Sequence, residues 1–166
     1  MLILLVRHAK AEARSLPVRG SKSDARRRLT DLGRKRMRQA AKALHSLIPT
    51  VNVIASSPLI RARETADILA KRYKRMPVVE LAMLSPGGSE REWLEWLQKQ
   101  PMDATVVLVG HEPDLGRLAS WLLTGKKLAF APFRKGAACL IRFAESSAAG
   151  SGVLEWMLTP KLLDKL

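Results

Sequence analysis

The feature that most constrains this chain is the continuous apolar run Leu2 to Val6, which stops at the charged pair Arg7-His8. A run this short, apolar at every position, reads as a strand covered on both faces, as in a parallel sheet between helical layers. The pattern recurs. Val51 to Ala55 and Ala104 to Val109 are mainly apolar runs, broken only at Asn52 and Thr105, that stop at Ser56-Ser57 and at Gly110-His111, and Met76 to Leu81 reads as one more strand. Helical spacing fills the intervals. Thr30 can cap a helix in which Gly33, Met37, Ala40, Leu44 and Leu47/Ile48 recur on one face, Arg34, Lys35, Arg38 and Lys42 point elsewhere, and Pro49 is the stop. Ser56-Ser57-Pro58 reads as a cap with proline at the first helical position, opening a helix to about Tyr73. After the Pro86-Gly87-Gly88 loop, Ser89 and Glu92 form a capping box for a helix through Leu97. Leu115, Leu118 and Leu122 line another helix, ended by Gly125, and Gly136 to Phe143 with Gly152 to Leu158 close the chain as a strand pair.

Strands alternating with helices predict an α/β fold, a three-layer α/β/α sandwich with a mostly parallel central sheet and an antiparallel strand near the end. No repeat or linker divides residues 1–166, so one domain is expected. In such sheets ligands bind beyond the carboxyl ends of the strands. Arg7-His8, Ser56-Ser57 and Gly110-His111 should therefore open onto one rim. Residues 9 to 28, rich in charge and without apolar period, read as a mobile loop over it.

Composition narrows the class. The chain is 47% apolar and 27% charged, as globular proteins are, and no apolar run is long enough to span a bilayer. The start, MLILLVRH, has no basic lead and no small-residue cleavage site, and Cys139 stands alone in an apolar stretch as a buried, inert thiol. A cytoplasmic location is expected. The net charge of +14 is uneven, since residues 7 to 38 supply +9 of it, so an acidic partner has to be considered. Aromatic residues are only 5% and no nucleic-acid motif occurs, which weighs against a nucleic-acid partner.

The rim residues suit phosphoryl chemistry. A phosphoryl group in transfer spreads negative charge over its equatorial oxygens, so fixed cationic donors must surround it. Arg7 ends a strand and Arg61 falls in the first turn of the helix capped by Ser57, whose amides and dipole add positive potential. Ser57 is counted with Arg7, Arg61 and His111 as substrate-binding. A neutral imidazole can attack phosphorus, and the cation beside His8 favours its neutral form. His8 is thus the candidate nucleophile and His111 a candidate donor to a phosphoryl oxygen. Cys139 and the scattered carboxylates show no metal-ligand spacing, so no metal and no cofactor are expected. His45 reads as a surface residue, the tryptophans 93, 96, 121 and 156 as core, and Arg63 with Glu64 as a solvated pair.

The segments LLVRHAKAE (Leu4 to Glu12), RRLTDLG (Arg27 to Gly33), SSPLIRARETA (Ser56 to Ala66) and VLVGHEPDL (Val107 to Leu115), with the closing LEWMLTPKLL, resemble the histidine phosphatase superfamily, also called the phosphoglycerate-mutase-like or RHG family. The likeness is greatest to its small SixA-type phosphohistidine phosphatases. The resemblance implies that His8 accepts the phosphoryl group, that Arg7 and Arg61 bind its oxygens, and that His111 completes the catalytic set. The usual RHG triplet reads Arg7-His8-Ala9 here. Where larger relatives carry a general-acid glutamate, this chain reads LAMLSPGG, with Met83 near that position and Glu12, Glu80 and Glu112 as candidate substitutes. Phosphohistidine tolerates that loss because its nitrogen leaves more readily than an alkoxide. The expected substrate is phosphohistidine in a signalling protein. Two alternatives stay open: a phosphatase of small phosphomonoesters, nucleotides or polyphosphate, and a non-catalytic polyanion-binding module.

Overall fold

The computed structural model describes residues 1–13, 23–128 and 132–166, and in it a six-stranded mixed sheet lies between two helical layers. The strands are β1 (Leu2–Arg7), β2 (Val53–Ser56), β3 (Val78–Glu80), β4 (Thr105–Gly110), β5 (Ala138–Arg142) and β6 (Val153–Leu158), in the order β3-β2-β4-β1-β5-β6. The first four of that order pair in parallel, β5 runs against β1, and β6 runs against β5. The helices are α1 (Ser23–Arg26), α2 (Asp31–Leu47), α3 (Ile60–Ala70), α4 (Glu90–Gln98), α5 (Asp114–Thr124) and α6 (Pro160–Leu163), with a 3₁₀ turn at Ala82–Leu84.

The apolar run of β1 explains its place inside the sheet. Alternate residues feed opposite faces: Leu4 and Val6 pack with Met37, Leu44 and Leu69 of α2 and α3, whereas Ile3 and Leu5 pack with Leu97, Leu118 and Leu122 of α4 and α5. All four β1 side chains are fully buried, worth roughly 1.5–3 kcal/mol each in transfer from water. A charged residue at any of them would open one of the two cores. No helix among the described residues is long and apolar enough to cross a membrane.

Local signals act largely as read. Thr30 caps α2 by accepting from Gly33 N at 3.0 Å, and Gly125 ends α5 in the left-handed region at φ 70°. Gly33 does more than continue a helical face. A Cβ there would stand 2.1 Å from the Lys10 carbonyl oxygen, so glycine lets α2 seat directly on the segment that leaves β1. Ile48 rather than Leu47 completes the buried face of α2. Trp93 is buried and meets Trp121 edge-on at 5.8 Å, Trp96, Trp121 and Trp156 are half-buried, and burial pushes the Cys139 thiol up to about 12.

Three expectations change. The strand expected over residues 76–81 shortens to Val78–Glu80, an edge strand preceded by Pro77, which has no N–H to give a ladder. The helix expected from Pro58 begins at Ile60, with Leu59 as a cap that has no side-chain bond, and ends at Ala70, leaving Tyr73 in the following turn. The loop read over residues 9 to 28 contains α1 and a bridge from Ala11 to Leu29, while its residues 14–22 lie outside the described residues.

Candidate active site

Parallel register sets the ends of β1, β4 and β2 side by side, with Arg7 opposite Gly110 and Ser56 opposite Val109. The backbone ladder continues one step further. His8 N donates to Gly110 O at 3.1 Å and Ser57 N to Val109 O at 3.0 Å, while Gly136 N reaches the carbonyls of Arg7 and His8 at 3.1 Å. His8 and His111 therefore emerge together, their ring centroids 5.1 Å apart. Arg7, His8, Arg61 and His111 line one open pocket of about 560 Å³, inside the usual ~300–1,000 Å³ of small-ligand sites.

The His8 ring is held in one tautomer. Its Nδ1 lies 2.7 Å from the Ala9 carbonyl oxygen, and a carbonyl can only accept, so Nδ1 carries the proton and Nε2 keeps its lone pair. Burial, followed by the charges of Arg61, Arg7 and Lys135, lowers the pKa of His8 to about 4 against the raising effect of the Ala9 hydrogen bond. The imidazole is neutral at physiological pH.

His111 is set by Ser57. Its Nε2 lies 2.9 Å from Ser57 Oγ, which already accepts from Leu59 N at 3.3 Å. In the tautomer in which the Ser57 hydroxyl donates to Nε2, the His111 proton sits on Nδ1, a buried atom without a hydrogen-bond partner among the described residues. Burial, His8 and Arg61 lower the pKa of His111 to about 3, against the opposing pull of Asp24. It can thus donate a hydrogen bond as a neutral ring. Ser57 itself is fully buried, with its hydroxyl used on Leu59 N and His111 Nε2, and Leu59 stands at the cap of α3, which corrects the expected place of Ser57 as the helix cap.

The two arginines are anchored differently. Arg7 Nη1 donates to the Phe133 carbonyl, and burial lowers its pKa while Glu112 opposes that effect. Arg61, almost wholly buried, donates through Nη1 to the Asp24 carbonyl at 2.7 Å and through Nη2 to its carboxylate at 3.1 Å. α1 thereby orients one of the pocket's fixed cations.

The profile of the histidine phosphatase superfamily (branch 1) matches residues 3–85. An uncharacterised protein of Picosynechococcus sp. is 38% identical over 125 residues, 69% of this chain and 76% of that one. The chain belongs to this superfamily. Among solved structures of the histidine phosphatase fold, that of the protein histidine phosphatase SixA complexed with tungstate superposes with a TM-score of 0.82 at 24% identity, over 97% of this chain and 98% of that one. A Nakamurella multipartitia protein assigned as a SixA phosphohistidine phosphatase gives 0.73 at 26% identity over 96% and 95%. A mycobacterial glucosyl-3-phosphoglycerate phosphatase bound to inorganic phosphate gives 0.72 at 18% over 96% and 98%.

For this histidine phosphatase chain, sequence reasoning missed the residues that hold the pocket together. Thr65 Oγ1 accepts from Ala9 N at 3.1 Å and donates to Arg61 O at 2.7 Å, tying α3 to the turn after His8; its place in the SSPLIRARETA segment was the available signal. Asp24 carried no signal, being one acidic residue in a basic stretch. Arg63 and Glu64 are not a pair. Arg63 binds Asp67 and Glu80, and Glu64 accepts from Arg28, Arg34 and Leu29 N, all at 2.7–3.0 Å, which holds its carboxyl below the ordinary range despite burial. Of the candidate proton donors, Glu12 and Glu112 line the pocket, Glu80 does not, and Met83 lines a small neighbouring cavity beside His111. His45 is half-buried against Tyr73. Among the described residues no group of three or more metal-ligating side chains gathers at one place.

Proposed function

We propose that this chain is a metal-independent phosphatase of SixA type that removes the phosphoryl group from phosphohistidine in a partner protein. The observation that carries this reading is the unprotonated Nε2 of His8 at the wall of a pocket shared with Arg7, Arg61 and His111. Nε2 attacks phosphorus, the P–N bond to the substrate imidazole breaks, and that imidazole departs with the bond's electron pair, taking a proton from solvent. Arg7 and Arg61 hold the phosphoryl oxygens and His111 is the candidate donor to one of them. Water then attacks phospho-His8, releasing inorganic phosphate and restoring the ring. The absence of an acid at Met83 suits a leaving group that needs little help.

A second reading, hydrolysis of a small phosphomonoester, is favoured by one feature. Glu112 lines the pocket and burial raises its pKa, the direction that favours the protonated form an alkoxide leaving group needs. The mycobacterial neighbour is a glucosyl-3-phosphoglycerate phosphatase on the same fold.

The test is a substrate panel in the presence of EDTA, joined to chemical analysis of the labelled protein. Acid-labile, base-stable phosphorylation of His8 with fastest turnover of phosphohistidine is the expected result. Preference for phosphomonoesters, abolished by Glu112→Gln, would replace the first reading by the second. An inert pocket would leave only anion binding.

A further inference from the structure

A second cavity adjoins the His8 pocket. It occupies about 240 Å³ and shares Lys10 and Lys135 with that pocket, and Arg36, Arg134 and Lys161 stand around the rest of it. Among the described residues no carboxylate lines it, in contrast to the His8 pocket, where Glu12 and Glu112 offset the cations. None of the five cations has an ion-pair partner among the described residues. Such crowding is unfavourable without an anion: burial, with Arg7, Arg27, Lys10 and Arg61 nearby, lowers the pKa of Lys135.

The floor of the cavity is apolar, made of Ala9, Met37, Ala40 and Pro160. A bare phosphate ion has nothing to place against those groups, whereas a side chain with an aliphatic stem and an anionic head matches floor and rim together. The volume also falls short of the ~300 Å³ at which whole small-ligand sites begin, which fits one side chain rather than a complete metabolite.

We propose that this cavity is a recognition subsite for an acidic side chain, aspartate or glutamate, that a partner protein presents beside its phosphorylated residue. The inference deepens the phosphohistidine reading and rests on it. The phosphoryl group enters the His8 pocket, the carboxylate enters the second cavity, and Lys10 and Lys135 lie between the two. The subsite selects partners without touching the reacting atoms.

The test compares phosphohistidine peptides carrying one Glu at successive positions from the phosphohistidine with the same set carrying Gln, on the wild-type protein and on Arg36→Ala/Lys161→Ala. Both substituted residues are exposed and neither lines the His8 pocket. The expected result is a KM lower by about tenfold for the best Glu peptide than for its Gln twin, from two partly exposed charge contacts. That gap should vanish in the double variant, with kcat and the turnover of phosphoramidate unchanged in both proteins. Equal KM for Glu and Gln peptides at every position overturns the subsite, as does a double variant that raises both alike. Tripolyphosphate inhibition that depends on Arg36 and Lys161, without any Glu preference, assigns the cavity to free polyanions instead. If no phosphohistidine peptide is turned over, the parent reading fails by itself. The subsite is then judged by inhibition of p-nitrophenyl phosphate hydrolysis by the unphosphorylated Glu peptide: loss of that inhibition in the double variant supports it, and equal inhibition of both proteins rejects it.

Discussion

One wall of the His8 pocket is built from sheet, the other from ion pairs. His8, His111 and Arg7 hang on the ends of β1 and β4, where ladder bonds, the Gly136 N–H and the buried Ser57 hydroxyl fix them. The opposite wall, residues 10–13 and α1 to Thr30, is held by carboxylates: Asp24 on Arg61 and Arg27, and Glu64 on Arg28, Arg34 and Leu29 N. Backbone bonds inside a sheet are cooperative and shielded from solvent, whereas carboxylate ties near the surface weaken with salt and with acid. The difference separates two tasks. In the proposed mechanism the attacking ring sits on the wall fixed by backbone bonds, and the access wall is the one whose ties salt and acid weaken.

Substitutions can sharpen or break this division. His8→Ala should lower turnover by on the order of 10⁴-fold or more with circular dichroism and urea midpoint little changed, because it removes the nucleophile and leaves the ladder. Retained turnover in that variant would place the chemistry elsewhere. Arg61→Ala, which touches both walls, should cost about 10²–10³-fold in kcat, measured on the same substrate; a change confined to KM would make Arg61 a binding residue only.

Glu64→Ala should destabilise the protein by about 2 kcal/mol and raise KM more than it lowers kcat, as read from urea unfolding and steady-state kinetics. An unchanged midpoint would mean the access wall stands without its carboxylate. The two walls should also separate on acidification. His8 and His111 have folded pKa values of about 4 and 3, below the ordinary 6.5, so the unfolded chain binds their protons first. Stability is intact above about pH 6.5 and falls as pH drops towards those values. Glu64 is also depressed, so its contribution is present above the ordinary value of 4.5 and is lost as pH falls below it. Unfolding curves of a His8→Gln/His111→Gln variant should flatten in the upper window, and those of Glu64→Gln in the lower one. The smallest effect belongs to Asp24→Asn. Removing the charge beside Arg61 should tighten inhibition by inorganic phosphate about threefold, and weaker inhibition would show that orientation of the guanidinium outweighs its neutralisation.

Much of the sheet wall was legible in the primary structure and little of the access wall was. An uninterrupted apolar strand has only one kind of place to go, so Leu2 to Val6 and Val106 to Val109 announced their neighbours, and the rule for strand ends then brought His8 to His111. Ser57 misled because serine before proline is a common cap signal, yet its hydroxyl is used on the imidazole across the strand gap. Glu64 misled in the same way. Its partners lie 30 to 36 residues away, and spacing along one helix carries no information about them.

By itself the sequence determined the layer order, the nucleophile candidate and the arginines of the rim, because hydrophobic pattern and strand-end chemistry are local properties. Only the tertiary structure decided which carboxylate faces which cation, which ring nitrogen of His8 holds its proton, and that five cations without an ion-pair partner among the described residues meet around a second cavity. Those are matters of distance and burial between remote segments, and electrostatic energy depends on both.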